Sequence, residues 1–288
     1  MKLAVSTYSL SRWMRDNNKS INQAIDWIAD HVRGIEFVGI PVDKGQDPIR
    51  KARAIRRRCE QRRLKIVGYC TGANLLQTKP REQAKVINEV KQQVDVAAAL
   101  GAPSMRHDVA HGFGDDWKGP RTDAAAFRIL VPAVRQIADY ADSRGVKTSL
   151  ENHGFYLQSS ARVDRFIQAV NHPNYGLTID IGNFLCVAER PETAVPRLAK
   201  HAIMAHIKDF HIKPKTRAPD VGWIITPKSI AIRGAVVGHG DIDLLSCLKS
   251  LRRSGYDGWL SLEFEGLEEP AQGVELGLTY AERLIKSL

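Results

Sequence analysis

The sequence predicts a single α/β domain over residues 1–288, folded as a (β/α)8 TIM barrel. Three observations carry this. Short apolar runs alternate with amphipathic helical stretches along the whole chain, in eight pairs spaced roughly 30 residues apart, which is the period of a strand–helix barrel. No Gly-x-Gly-x-x-Gly follows the first run, so the alternative, a doubly wound open sheet, lacks its dinucleotide-binding signature. Polar side chains collect at the C-terminal ends of several different runs, where barrel enzymes place their chemistry.

The first run covers 3–8. Ser20 is a plausible N-cap for a helix carrying Ile21, Ala24, Ile25, Ile28 and Val32 on one face and stopping at Gly34. The second run, 34–38, leads to a basic helix opened by Asp47-Pro48, with proline in the first turn. The third run is 64–70. Its helix spans about 80 to 100, with Val86, Ile87, Val90 and Val94 at helical spacing and Gly101 at its end. The fourth run, 103–108, is less apolar. The helical pattern over 122–144 contains Pro132, which predicts a kink or break. Runs five to eight fall at 146–151, 176–180, 202–207 and 259–263. Their helices lie near 160–170, near 191–201, after Asp243 and from about 270. Residues 209–240 read as one long irregular segment, the kind that serves as a lid or binding loop.

Composition narrows the class. Hydrophobic residues make up 43% and charged residues 26%, which excludes a disordered chain. No segment approaches the ~20 apolar residues of a membrane helix, and residues 1–6 are too short in apolar length for a secretory signal. Cys59, Cys70, Cys186 and Cys247 are widely spread with no CxxC pair, so reduced thiols and a cytoplasmic location are expected. The net charge of +10 is concentrated. Between Arg50 and Lys65 nine basic residues face one acid, Glu60. That window reads either as a site for an anionic partner or as a solvated helix face with Ala52, Ile55 and Cys59 packed inward. It has no interleaved aromatics, which favours the solvated face.

Four runs close on metal-type side chains: Glu151, Asp180, His206 and Glu263. Each alone reads as an ordinary rim residue. On four neighbouring strands, about 5 Å apart, they can converge on one ion. Carboxylates gathered in one mouth repel each other, and a cation relieves that. Three carboxylates and an imidazole suit a hard or borderline divalent cation: Mn²⁺, Mg²⁺, Co²⁺ or Zn²⁺. Strand alternation adds His153 on the face of Glu151, Lys208 on that of His206 and Glu265 on that of Glu263. Lys208 is a candidate to hold a substrate oxygen or an enolate, or to pair with a rim carboxylate. Arg106 and His107 end the fourth run and Cys70 the third. His107 is a candidate substrate ligand or a hydrogen-bonding support. Trp13 and Trp117 are read as packing residues before sugar-stacking ones. His211, Lys213, Lys215, Arg217, Lys228 and Arg233 form a basic cluster that either clamps an anion or is solvated.

The segments Leu150-Glu151-Asn152-His153-Gly154, Leu177-Thr178-Ile179-Asp180-Ile181-Gly182-Asn183, His206-Ile207-Lys208-Asp209 and Gly258-Trp259-Leu260-Ser261-Leu262-Glu263 resemble the xylose-isomerase-like sugar phosphate isomerase/epimerase superfamily. Ser6-Thr7-Tyr8-Ser9 and Gly34-Ile35-Glu36 extend the resemblance over nearly the whole chain. It implies that Glu151, Asp180, His206 and Glu263 are metal ligands, Mn²⁺ first among the candidates, and that Glu151 and Glu263 also shuttle the proton. A cation bridging a carbonyl and a neighbouring hydroxyl acidifies the C–H between them and stabilises the enediolate. Carboxylates on the two faces then remove and return the proton.

Some positions depart from the family. Asn183 stands where the epimerases carry a substrate-binding His, and Arg233 only approximately matches their Arg before a Gly-x-Gly element, here Gly238-His239-Gly240. Both remain candidate substrate ligands. The expected function is a divalent-metal-dependent isomerase or epimerase of a sugar or sugar derivative. The alternative is a metal-dependent lyase or dehydratase on a keto-sugar or cyclitol that shares the proton abstraction. An endonuclease IV-like nucleic-acid enzyme is remote, because the second and third runs lack the extra His ligands and the basic helix lies outside the barrel. The expected partner is a small sugar, with neither nucleic acid nor membrane. The resemblance further implies a homo-oligomer, a dimer or tetramer.

Overall fold

A computed structural model describes residues 1–219 and 221–288. Eight parallel strands close into a barrel in the order β1-β11-β7-β6-β5-β4-β3-β2. They are β1 (Lys2–Ser6), β2 (Gly34–Val38), β3 (Lys65–Thr71), β4 (Ser104–His107), β5 (Lys147–Glu151), β6 (Tyr175–Asp180), β7 (Ala202–Ile207) and β11 (Trp259–Leu262). The helices around it are α1 (Ser11–Asp16), α2 (Ile21–His31), α3 (Pro48–Gln61), α4 (Pro80–Leu100), α5 (Asp123–Asp142), α6 (Ser160–Val170), α7 (Pro191–Leu198), α8 (Leu244–Arg253) and α9 (Pro270–Lys286). Among the described residues no helix is long and apolar enough to cross a membrane.

Local chemistry sets the helix ends. Ser20 and Gln23 form a reciprocal capping box at α2. Asp47 caps α3 just before Pro48, and Asp243 caps α8. Gly101 ends α4 at φ +75°, a left-handed conformation that needs no Cβ. Pro132 does not break α5, which runs as one helix over Asp123–Asp142. Its flanking residues Leu130, Ala133 and Val134 are buried against the barrel, and that packing outweighs the lost backbone bond.

The largest departure from expectation lies between 209 and 240. Much of the described part of this segment is regular. β8 (Asp209–Pro214), β9 (Ile224–Ile225) and β10 (Ile230–Ala235) form a small antiparallel sheet in the order β8-β10-β9. It grows directly out of the C-terminal end of β7. Asp209 anchors its return: the carboxylate accepts backbone N–H groups from Phe210, Gly238, Gly240 and Ile242 at 2.9–3.3 Å. A Cβ on Gly240 would lie 2.1 Å from Asp209 Oδ1, so glycine at 240 is required for this approach.

Two packed regions result. The main core fills the space between barrel and helices. A small cluster of Ala4, Val67 and Met204, packed with Trp259, plugs the barrel interior. At the site end the inward positions turn polar instead: Glu36, Glu151, Asp180, His206 and Glu263 are all buried. Gly34 lets Trp259 into the plug, because a Cβ there would stand 2.6 Å from the indole ring. Gly34→Ala should destabilise the fold by about 1–3 kcal/mol through overpacking. A urea or thermal unfolding midpoint unchanged from wild type would show that the plug has slack.

Candidate functional site

Strand register delivers four side chains to one point. Asp180 and His206 are paired across β6 and β7. Glu151 ends β5 one strand away, and Glu263 follows β11. One donor atom from each of Glu151, Asp180, His206 and Glu263 lies within 4.8 Å of all the others. His206 Nδ1 is 3.4 Å from Glu151 Oε1, 3.5 Å from Glu263 Oε1 and 3.8 Å from Asp180 Oδ2. His206 Nδ1 is buried without a hydrogen-bond partner, and Asp180 Oδ2 has beside it only the Lys208 ammonium, 3.2 Å away. Buried polar atoms are normally paired, and these two face a common centre of carboxylates.

The arrangement fits a divalent cation on charge as well as on donor type. Four buried carboxylates, counting Glu36, stand beside the cations Arg106 and Lys208. A doubly charged ion with a neutral imidazole balances them. Its bonds, about 2.0–2.2 Å long for carboxylate and imidazole donors, match the close spacing of the ligand atoms.

The surrounding side chains hold the ligands in place. Glu36, on β2, lies 2.9 Å from His206 Nε2 and thereby fixes which ring nitrogen faces the cluster. Cys70 Sγ donates to Glu36 at 3.4 Å. Arg106 ion-pairs with Glu151 and also bonds Asp108 at 3.2 Å. Asn152 ties β5 to β6 by donating to the Asp180 carbonyl at 2.8 Å and accepting the Asp180 N–H at 2.9 Å. Lys208 Nζ is 3.0 Å from Glu263 Oε2 and 3.2 Å from Asp180 Oδ2. Tyr8 donates to Glu265 at 3.0 Å, with Lys208 over its ring.

These contacts give each group a different proton affinity. Burial would raise the Glu151 carboxyl, but Arg106 and then His206 hold it well below the usual carboxylate range. Burial also opposes ionisation of Asp180, and Lys208 draws it down. Glu263 alone of the three is raised, by burial first, against the pull of Lys208 and His206. Burial disfavours charge on His206, yet Glu36, Glu263 and Glu151 raise its proton affinity well above the ordinary imidazole.

The other expected site residues lie as follows. Asn183 stands inside the cluster with its amide already engaged: Nδ2 donates to Glu151 Oε1 at 3.0 Å, and Oδ1 accepts from Lys208 at 3.3 Å. β5 ends at Glu151, so alternation does not carry to His153. His153 sits in the following turn, partly exposed, with Nδ1 3.0 Å from Asp108. Alternation along β4 turns His107 away from Arg106. It is buried, with Nδ1 2.9 Å from the Asp108 carbonyl and its ring 6.3 Å from that of Tyr175. Arg233 lies on the small sheet, and it and Lys213 stack over Trp223. Trp13 packs against Trp27, and Trp117 against Phe113. Sequence reasoning passed over Glu36 as a site residue, because it lies inside its apolar run, before Phe37 and Val38, and does not close it.

A parallel barrel with acids and an imidazole gathered at its C-terminal mouth defines a (β/α)8 protein with a candidate divalent-cation centre. The chain belongs to the xylose isomerase-like TIM barrel family, whose model matches residues 25–284. It is similar to an inosose dehydratase of Erwinia tasmaniensis, 28% identical over 196 residues, covering 66% of this chain and 60% of that protein. It is also similar to the rhizopine catabolism protein MocC of Rhizobium meliloti, 28% identical over 174 residues, covering 59% and 48%. The chain thus spans about half to three-fifths of the length of these curated relatives. Among solved structures, the IolI protein with a bound zinc atom superposes with a TM-score of 0.75 at 17% identity, covering 100% of this chain and 97% of that one. L-ribulose 3-epimerase gives 0.74 at 14%, covering 99% and 95%. These two likenesses show the fold.

Glu36→Gln should weaken retention of a bound divalent cation by about 10–100-fold, measured by competition with a chromophoric chelator, with the circular dichroism unchanged. Equal retention in variant and wild type would mean that Glu36 does not orient His206.

Proposed function

We propose that this protein is a divalent-metal-dependent enzyme that removes a proton next to a carbonyl in a sugar or cyclitol derivative, and that it completes the reaction by loss of water. Glu151, Asp180, His206 and Glu263 would hold the cation. When bound, the cation supplies electrophilic stabilisation of the enolate oxygen that forms as the proton leaves. The dehydratase names of the curated relatives support the same outcome.

One observation carries the choice of outcome. The two candidate proton-transfer carboxylates have different partners. Glu151 is clamped by the guanidinium of Arg106 and the amide of Asn183. A guanidinium keeps its proton, so this edge carries fixed charge. Glu263 is paired with the ammonium of Lys208, which Asp180, Glu265 and Glu263 keep protonated, and Glu263 alone of the three ligand carboxylates is pushed up by burial, so it is the carboxyl suited to give and take a proton. Epimerisation with two bases needs a mobile proton on both faces of the substrate. Elimination needs it on one. In the proposed reaction the Glu263–Lys208 edge breaks the C–H bond. The electron pair passes onto the carbonyl oxygen and returns to form the C=C bond as the neighbouring C–O bond breaks, and Glu263 gives the abstracted proton to the departing hydroxyl, which leaves as water. Arg106 and Asn183 keep Glu151 anionic and oriented.

The test is a panel of keto-cyclitols and keto-sugars with added Mn²⁺ in D₂O, followed by NMR and mass spectrometry. Loss of water is the expected result, with Glu263→Gln lowering kcat by about 10²–10⁴-fold and a chelator abolishing turnover. Deuterium entering recovered or epimerised substrate with no loss of water would overturn the dehydratase outcome and favour epimerisation.

A further inference from the structure

The basic helix α3 takes no part in the site at the mouth. Its ion pairs account for only some of its charge: Arg58 and Arg62 bind Asp26 and Asp30 of α2, and Arg56 binds Glu60. Among the described residues, Arg50, Lys51, Arg53, Arg57, Arg63 and Lys65 have no carboxylate within ion-pairing distance.

Part of this excess lines a concavity. A groove of about 790 Å³ runs between α3 and the C-terminal half of α4, on the outer wall of the barrel. Arg53, Arg56 and Arg57 form one bank, Arg144 stands on the other, and Ile49, Ala98 and Ala99 also line it. The small Ala side chains leave room between the helices. Two of the guanidiniums are held in position. Arg144 bonds Asp95 through Nε at 2.9 Å and the Tyr140 hydroxyl through Nη2 at 2.8 Å, and it stacks on that ring. Arg56 bonds Glu60 through Nε at 2.8 Å. Nη1 of Arg144 and both terminal nitrogens of Arg56 are left for another acceptor.

Gathering four guanidiniums in one groove costs electrostatic energy that two carboxylates only half offset. Planar forks with spare N–H pairs match phosphate oxygens bidentately. The volume lies in the range of small-ligand sites. We propose that this groove binds a small ligand carrying several linked phosphates. Arg53 and Arg57 stand one helical turn apart, about 6 Å along the axis, which is the reach of a short oligophosphate. The helix carries no interleaved aromatic on which bases could stack, which argues against a nucleic-acid strand. The ligand would sit outside the barrel, so binding there is separable from chemistry at the mouth.

The full chain should bind inorganic tripolyphosphate by isothermal titration calorimetry, with affinity falling as salt rises. Arg53 and Arg57 are exposed, so the double variant Arg53→Glu/Arg57→Glu should keep its circular dichroism and basal activity. Its affinity for tripolyphosphate should fall at least about tenfold. No binding by the wild type at 150 mM salt would overturn the proposal, as would equal binding by the double variant. Tighter binding of a single-stranded oligonucleotide than of tripolyphosphate, lost in the double variant, would replace it with a nucleic-acid surface.

Discussion

Carboxylates that converge in a barrel mouth must be neutralised where they stand. At an effective dielectric constant of about 20, two like charges 4 Å apart repel by about 4 kcal/mol, and Glu36, Glu151, Asp180 and Glu263 are all buried together. The side chains around them answer that constraint. Arg106 and Lys208 supply permanent positive charge from β4 and the end of β7, and His206 presents an unbonded nitrogen to the centre. One doubly charged ion would balance what remains, which ties the candidate metal centre to the stability of the mouth.

The barrel solves the geometric half of it. Parallel strands bring every chain end to one rim, and the pleat sends alternate side chains inward. Apolar plug residues occupy the inward positions at one end and ionisable ones at the other. Met204 and His206 are successive inward residues of β7, one in the plug and one in the cluster. Support then comes from outside the ligand set: Glu36 on one nitrogen of His206, Asn152 on the backbone of Asp180, and Asn183 between Glu151 and Lys208. These contacts leave the ligands few alternative positions, so binding an ion requires little reordering.

The same contacts divide the mouth into unequal sides. A guanidinium holds Glu151 well below the usual carboxylate range, whereas burial pushes Glu263 up despite the ammonium beside it. A symmetric pair of glutamates read from strand ends thereby becomes an asymmetric one. The small β8-β10-β9 sheet rises from the end of β7, directly after Lys208. Asp209 fixes its base to the Gly-x-Gly turn.

By itself the sequence determined the barrel and the four acid and imidazole positions, because both are written in local order: strand and helix periods, capping residues, and a charged side chain closing each of four apolar runs. Glu36 sits inside its run and not at its end, and only its contact with His206 shows its place in the cluster. Tertiary structure alone decided the rest. Arg106 and Asn183 become partners of Glu151 only when β4, β5 and β6 are side by side, since nothing in their spacing along the chain announces the contact. His153 lies beyond the end of β5, so its contact with Asp108, and through it with Arg106, is not written in strand alternation, and the sheet within 209–240 depends on the pairing of β8 with β10. Pairings between distant segments depend on register and closure, and those are properties of the closed barrel rather than of any stretch of chain within it.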